Sequence, residues 1–261
     1  MSAVPAARRS PDAPRTPAPQ QPPDAPRSRR QRGSLTREII VSESLRLLDA
    51  DGVDGFSLPK LGRALGADQT AVYRHFTSKD DLVLGIADRL IAEAMAGLQP
   101  QDCWIETLSE MTRRLRDTYL AHPAAASMSA YRTTQGPAEI QAVDTIIGAI
   151  LAAGFEGSAA AVMYRAIGDF SLAWAGSEAA FLALDKHAQS NDRAAWTRAY
   201  LSVDRRQHPS IWQVRTELPD VRDEDIFETI LSVVMAGLRL QAPRPCSCHA
   251  PATQSRAGLA D

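Results

Sequence analysis

Apolar residues recur at three- and four-residue intervals from about residue 34 to residue 241, and sustained strand alternation is absent. This pattern predicts an all-α chain. The clearest stripe is Trp104, Leu108, Met111, Leu115 and Tyr119, one face of a single helix closed by His122-Pro123. A second long helix is expected from about Gly136 to Ala153, with Gly154 as its C-terminal cap. Residues 158–185 carry small side chains over much of their surface, with aromatics at Phe170, Trp174 and Phe181. Small side chains let a neighbouring helix approach closely. The last helix, about 223–240, opens with Asp223, Glu224 and Asp225, acids that favour the positive end of a helix dipole.

The first part of the pattern is denser, with three helices in quick succession before a longer one. Thr36 is placed to cap the first, whose buried stripe is Ile40, Ser44, Leu47 and Leu48, ended by Gly52. The second opens at Ser57, with Pro59 tolerated in its first turn, and runs through Leu61 and Leu65 to Gly66. Asp68 caps a third, Gln69 to His75, on which only Val72 and Phe76 need be buried. The turn Gly66-Ala67-Asp68 has the length and residue types of a helix-turn-helix turn, so residues 36–76 are expected to form that unit.

The third helix then presents Gln69, Thr70, Ala71, Tyr73, Arg74 and His75 outward, a polar set short enough to enter a major groove. A Gln amide can pair with an adenine edge, and Ala or a Thr methyl can touch a thymine methyl. Tyr73, Lys79 and the backbone amide beside Ser57 are placed for phosphates. Lys60 adds a base at the start of the second helix.

Charge alters this picture. Residues 1–33 hold seven arginines against two aspartates, +5, which leaves −7 on the rest of a chain whose total is −2. DNA binding must therefore come from local charge and geometry, because the body as a whole repels phosphate. Seven prolines and almost no large apolar residues in 1–33 predict a disordered arm, and residues 242–261 have the same composition. No segment approaches the roughly 18 apolar residues of a membrane span, and no apolar stretch follows the first arginines as in a signal peptide. Three cysteines make no disulfide framework, which points to a reducing, cytoplasmic setting. Cys246, Cys248 and His249 are too few and too closely spaced for a structural metal site, and no Ser, His or Asp is placed as an activated nucleophile. Neither a cofactor nor an enzyme is expected.

The residues Gly52, Phe56, Ser57, Leu61, Leu65, Gly66, Val72, Tyr73, His75, Phe76, Lys79 and Leu82 together resemble the DNA-binding domain of the TetR/AcrR family. The run Tyr-Arg-His-Phe-Thr-Ser-Lys at 73–79 is its most specific part. Residues 208–240, with their His-Pro, a Leu-Pro turn, Phe227 and a closing helix, are similar to the C-terminal segment of the tetracycline-repressor-like subgroup. Asp68 stands where Ser is more usual, and Leu61-Gly62 replaces Ile-Ala.

The resemblance implies a homodimeric repressor that binds a near-palindromic double-stranded operator and is released by a small-molecule inducer. It divides the chain into a helix-turn-helix domain at 34–82 and a ligand-binding and dimerisation domain at 83–241, with the arm and tail outside. Dimerisation is expected through the helices near 158–185 and 223–240. The candidate DNA contacts are Ser57, Lys60, Gln69, Thr70, Ala71, Tyr73, Arg74, His75 and Lys79. The candidate ligand contacts are Trp104, Met111, Tyr119, Tyr131, Phe170 and Trp174, aromatic and sulfur side chains that fit either a core or an apolar cavity between helices. Arg165 and Asp169, four residues apart, form either a surface pair, the favoured reading, or polar anchors in that cavity. The basic arm is either a solubilising tail or a strand that touches DNA. The alternative function is a helical ligand-binding or interaction protein that has lost operator binding, consistent with the acidic body and Asp68.

Overall fold

The computed structural model describes residues 35–246, and every regular element among them is helical. The arm at 1–33, together with Cys248 and His249 of the tail, lies outside the described residues.

Three helices form the N-terminal head: α1 (Arg37–Gly55), α2 (Leu58–Ala64) and α3 (Gln69–Tyr73). Each begins on a polar side chain that accepts a hydrogen bond from a backbone N–H three residues on. These are Thr36 to Ile39 at 3.3 Å, Ser57 to Lys60 at 3.4 Å and Asp68 to Ala71 at 2.9 Å. α1 runs past the expected stop, kinked at Gly52 (φ 69°) and ending at Gly55. α3 is shorter than expected, because Arg74 is its C-cap and His75 already lies in the following turn.

α4 (Lys79–Met95) is the strut that joins the head to the body. Ser78 caps it through the Asp81 N–H at 3.0 Å, and the Asp81 carboxylate reaches back to the Thr77 N–H at 2.7 Å. The second of these bonds holds the Asp81 carboxyl below its ordinary pKa, so it stays ionised at the positive end of the helix. Leu82, Ile86 and Leu90 bury one face of α4 in the same core as Ile40, Leu48, Leu61 and Phe76 of the head region.

The body continues with α5 (Trp104–Ala121), α6 (Pro123–Ser129), α7 (Pro137–Ala152) and α8 (Gly157–Ala183). α6 is almost entirely small residues, and Ala124, Ala125, Ala126, Ser129 and Ala130 in and just after it are buried. It lies between the head and α8, and the fit is close: a Cβ on Gly176 of α8 would come within 2.5 Å of the Ala130 Cβ. The small residues of 158–185 thus serve the close helix approach that the sequence suggests.

Beyond α8 lie α9 (Lys186–Leu201), α10 (Pro209–Val214), a 3₁₀ turn at Leu218–Asp220 and α11 (Asp223–Gln241). The turn into α9 is fixed by buried Gln189, whose amide donates to the Leu182 and Leu184 carbonyls at 3.0 and 2.8 Å. A second core joins Leu108, Ile150, Phe155, Ile167, Phe227 and Leu231 at the other end of the body. Cys103 and Cys246 are buried in it. No helix among the described residues is long and apolar enough to cross a membrane.

Candidate functional site

The turn between α2 and α3 places the exposed face of α3. Gly66 adopts φ 64°, a left-handed conformation that glycine takes without steric cost. The Ala67 N–H returns to the Gly62 carbonyl at 2.9 Å, and a Cβ at Gly62 would stand 3.0 Å from the Ala67 oxygen. The glycine in place of alanine therefore sits where the turn crosses α2.

Val72 and Phe76 are buried and hold α3 down, while Gln69, Thr70, Tyr73 and Arg74 are exposed and Ala71 and His75 half-buried. Asp68 accepts from the Thr70 hydroxyl and the Ala71 N–H, which hold its carboxyl below the usual range. Its charge is thus engaged by the start of α3. Ser57 is exposed, and its hydroxyl accepts from the Lys60 N–H. Lys60 is drawn the other way: its Nζ lies 2.9 Å from Asp51 and donates to the Gly55 carbonyl at 3.1 Å. Lys79 is exposed at the first position of α4, beside the C-terminal end of α3.

Arg37 of α1 locks this surface. Its guanidinium donates to the His75 carbonyl and to Asp81 at 3.1 Å, and lies 3.9 Å over the Phe76 ring. It thereby ties α1 to the end of α3 and to α4. A second tie between head and body is His122, at the junction of α5 and α6. Its Nδ1 is 2.9 Å from Asp49 of α1, and its Nε2 is 3.3 Å from Glu93 of α4. Both ring nitrogens face carboxylates, so the imidazolium, which donates at both, is the form that fits.

Burial pushes the His122 pKa down, but the hydrogen bonds and charges of Asp49 and Glu93 outweigh it and hold the value above the ordinary one. A raised folded-state pKa gives stability that is fully present below the unfolded value of about 6.5 and is lost as pH rises through the folded value. The stability difference between the native chain and His122→Gln should therefore be about 1 kcal/mol at pH 6 and shrink towards pH 9. Urea melts across that range would show it, and a gap that widened with pH would contradict the assignment.

A partly open cavity of about 110 Å³ lies among α4, α5, α7 and α8. Its walls are mainly apolar, from residues such as Ile91, Leu108, Val143, Ile146 and Ile167. Polar side chains interrupt them, among them Thr112, Tyr119, Ser171, Arg132 and Glu139. Of the six aromatic and sulfur candidates, Met111 and Tyr119 line this space. Trp104 is buried in the second core, Phe170 packs against that core beside α11, and Trp174 faces a separate groove with Arg116 and Phe181. Tyr131 is 71% exposed. Trp104, Phe170 and Trp174 stand on helix faces turned away from the cavity, a rotation that apolar spacing does not disclose, and Tyr131 lies in the turn after α6. Arg165 and Asp169 form an exposed pair at 2.9 Å, as the favoured reading had it.

The cavity is tied to α4 by two polar contacts on the loop between α6 and α7. Arg132 forks onto Asp80 with both nitrogens at 2.7 Å. Asp88 accepts from the Glu139 N–H and the Thr134 hydroxyl, each at 3.0 Å. Neither pairing was evident in the sequence, because the partners lie some fifty residues apart.

Comparison with known proteins accords with this architecture. Residues 40–86 match the family described as bacterial regulatory proteins, tetR family, and residues 96–242 match the tetracyclin repressor-like C-terminal domain. The chain belongs to the TetR family. It is 32% identical over 126 residues to an HTH-type transcriptional regulator of Saccharopolyspora erythraea, 48% of this chain and 53% of that protein. It is 34% identical over 112 residues to an HTH-type transcriptional repressor of Mycobacterium tuberculosis, 42% of each chain. The chain thus spans about half the length of the curated relatives it matches. Among solved structures, the Streptomyces coelicolor TetR family protein ActR in complex with actinorhodin has a TM-score of 0.69 at 22% identity, over 81% of this chain and 99% of that one. BioQ with its double-stranded DNA operator has a TM-score of 0.54 at 22% identity, over 78% and 98%.

Proposed function

We propose that this TetR-family protein is a sequence-specific DNA-binding repressor, released from its operator by a small, largely apolar ligand. The observation that carries the reading is α3 itself. It is a short helix capped by Asp68 and anchored through Val72 and Phe76, with Gln69, Thr70, Tyr73 and Arg74 facing solvent and Lys79 exposed beside it. Such a helix can enter a major groove while its flanks meet phosphates. The described relatives of this chain are transcriptional regulators and not enzymes.

Two copies docked through α8 and α11 would set two such helices on a near-palindromic site. Val162 of α8 and Val233 and Leu240 of α11 are large apolar residues left exposed in the single chain, which supports that face as the dimer contact. The cavity supplies the ligand site, and the complex of ActR with actinorhodin supports a ligand there by analogy. Ligand binding favours whichever arrangement of the heads it binds more tightly, and only that difference in affinity can shift the operator equilibrium.

The test is a gel shift against the DNA upstream of the protein's own gene. Tyr73→Ala and Lys79→Ala should each weaken binding about tenfold or more with the fold intact, and Lys79→Ala should also lower the salt slope by about one. Undiminished affinity in both variants would remove these residues from the interface. Failure of the native protein to bind any DNA would favour the alternative of a ligand-binding protein without an operator, for which the acidic body is the support.

A further inference from the structure

The cavity carries a charge arrangement that narrows its ligand. Arg132 is the only cation that lines it among the described residues, and Glu139 the only anion. Their engagements differ. Glu139 accepts from the Thr134 N–H and hydroxyl and from the Gln135 N–H, at 2.5, 2.8 and 2.7 Å. A cationic ligand would have to draw it from three donors that shape the loop, where Gln135 already holds φ 57°. Arg132 has a single carboxylate partner, Asp80, and both side chains are well exposed, 39% and 61%. Pairs so exposed are weak, because water and salt screen them, so the partner exchanges at little cost.

The fork of a guanidinium matches any carboxylate, and a ligand carboxylate offers the geometry that Asp80 now supplies. Deeper in the cavity, Thr112 and Ser171 lie 3.1 Å apart, and each is within donating distance of a carbonyl of its own helix, Leu108 at 2.9 Å and Ile167 at 2.8 Å. Tyr119, which also lines the cavity, is buried to 1% exposure. Burial keeps its hydroxyl protonated, so it can donate to an acceptor placed in the cavity. A cavity of about 110 Å³ is a little smaller than an engineered one of about 150 Å³ that holds benzene, so a single ring or a short chain sets the scale.

We infer that the cavity takes a small apolar carboxylic acid, whose carboxylate pairs with Arg132 in exchange for Asp80. This deepens the proposed repressor function and rests on it. The exchange has a mechanical consequence, because Asp80 lies in the first turn of α4, next to Lys79 and three residues past Thr77 at the end of the head. Once it is displaced, the α6–α7 loop keeps its hold on α4 only through Asp88, two turns further along. The end of α4 nearest the DNA surface is then freed while its middle stays tied. The ligand thereby acts on the head without touching it.

The experiment titrates the full chain with two matched probe pairs, phenylacetate with phenylacetamide and hexanoate with hexanamide, following backbone amide chemical shifts. At least one acid should bind tenfold or more tightly than its amide. Arg132→Gln should bring the two within about twofold. Asp80→Asn removes the competing carboxylate and should strengthen acid binding several-fold without altering amide binding, an outcome that a merely structural Asp80 would not give. Should Arg132→Gln fail to fold, the Asp80→Asn arm decides the matter alone. Equal binding of acid and amide, or no response to Asp80→Asn, would overturn the anion assignment while leaving an apolar ligand cavity in place. If none of the four probes bound, the carboxylate inference would fall, whereas the repressor reading stands or falls separately on the gel shift.

Discussion

Arg116→Ala is expected to destabilise the protein by about 3–5 kcal/mol, the usual cost of removing one partner from a buried ion pair. Arg116 is 5% exposed in the middle of the body. It donates to both oxygens of Glu178 on α8 at 2.7 and 2.9 Å, and to Glu224 on α11 at 2.5 Å. Its guanidinium also lies 4.4 Å from the centre of the Phe227 ring. The hydrogen bonds it donates to Glu178 outweigh desolvation and keep the group firmly charged. Alanine would leave Glu178, itself mostly buried, without its counter-charge, while α8 and α11 lose their common partner on α5. The loss comes from the uncompensated charge more than from the pair's own worth. The double replacement Arg116→Met with Glu178→Leu should accordingly recover most of it. Urea denaturation of the three chains tests this, and a cost below about 1 kcal/mol for Arg116→Ala would show that water reaches Glu178.

Phe76→Ala should cost a comparable amount, about 3–5 kcal/mol, as large-to-small changes of buried aromatics do. The ring is 1% exposed directly after the exposed helix α3. It rests so closely on α4 that a Cβ at Gly85 would come within 2.9 Å of its Cε1, and Arg37 covers its other side. No neighbour can collapse into the space without moving α1 or α4. The variant should therefore lose operator affinity together with stability, whereas Tyr73→Ala is expected to lose affinity alone. Thermal melts alongside gel shifts separate the two. Since domains are stable by only about 5–15 kcal/mol, either of these large losses approaches the whole margin.

The head was legible because its information is local. Thr36, Ser57 and Asp68 all accept the backbone N–H expected of a cap, and Val72 and Phe76 are the two buried positions on and after α3. Every one of those interactions spans a few residues, where spacing along the chain and spacing in space coincide. The side chain of Lys60 is the exception within the head. Its turn towards Asp51 depends on how the kinked end of α1 meets α2, which no short window contains.

The body was legible as helices and not as a site. The stripe from Trp104 to Tyr119 is apolar throughout, yet only its Leu108, Met111, Leu115 and Tyr119 reach the cavity, while Trp104 packs into the second core. Periodicity says that a face is covered and is silent on which neighbour covers it. The polar residues that define the cavity and its link to α4 were missed for the same reason. Arg132 meets Asp80 across 52 residues, and Asp88 meets Glu139 across 51. By itself the sequence determined the all-helical class, the caps and the outward set of α3, because short-range sterics and hydrogen bonding suffice for these. The tertiary structure alone decided which aromatics face the cavity, which charges pair and how α4 is held, because these depend on helix rotations fixed only when the whole core packs.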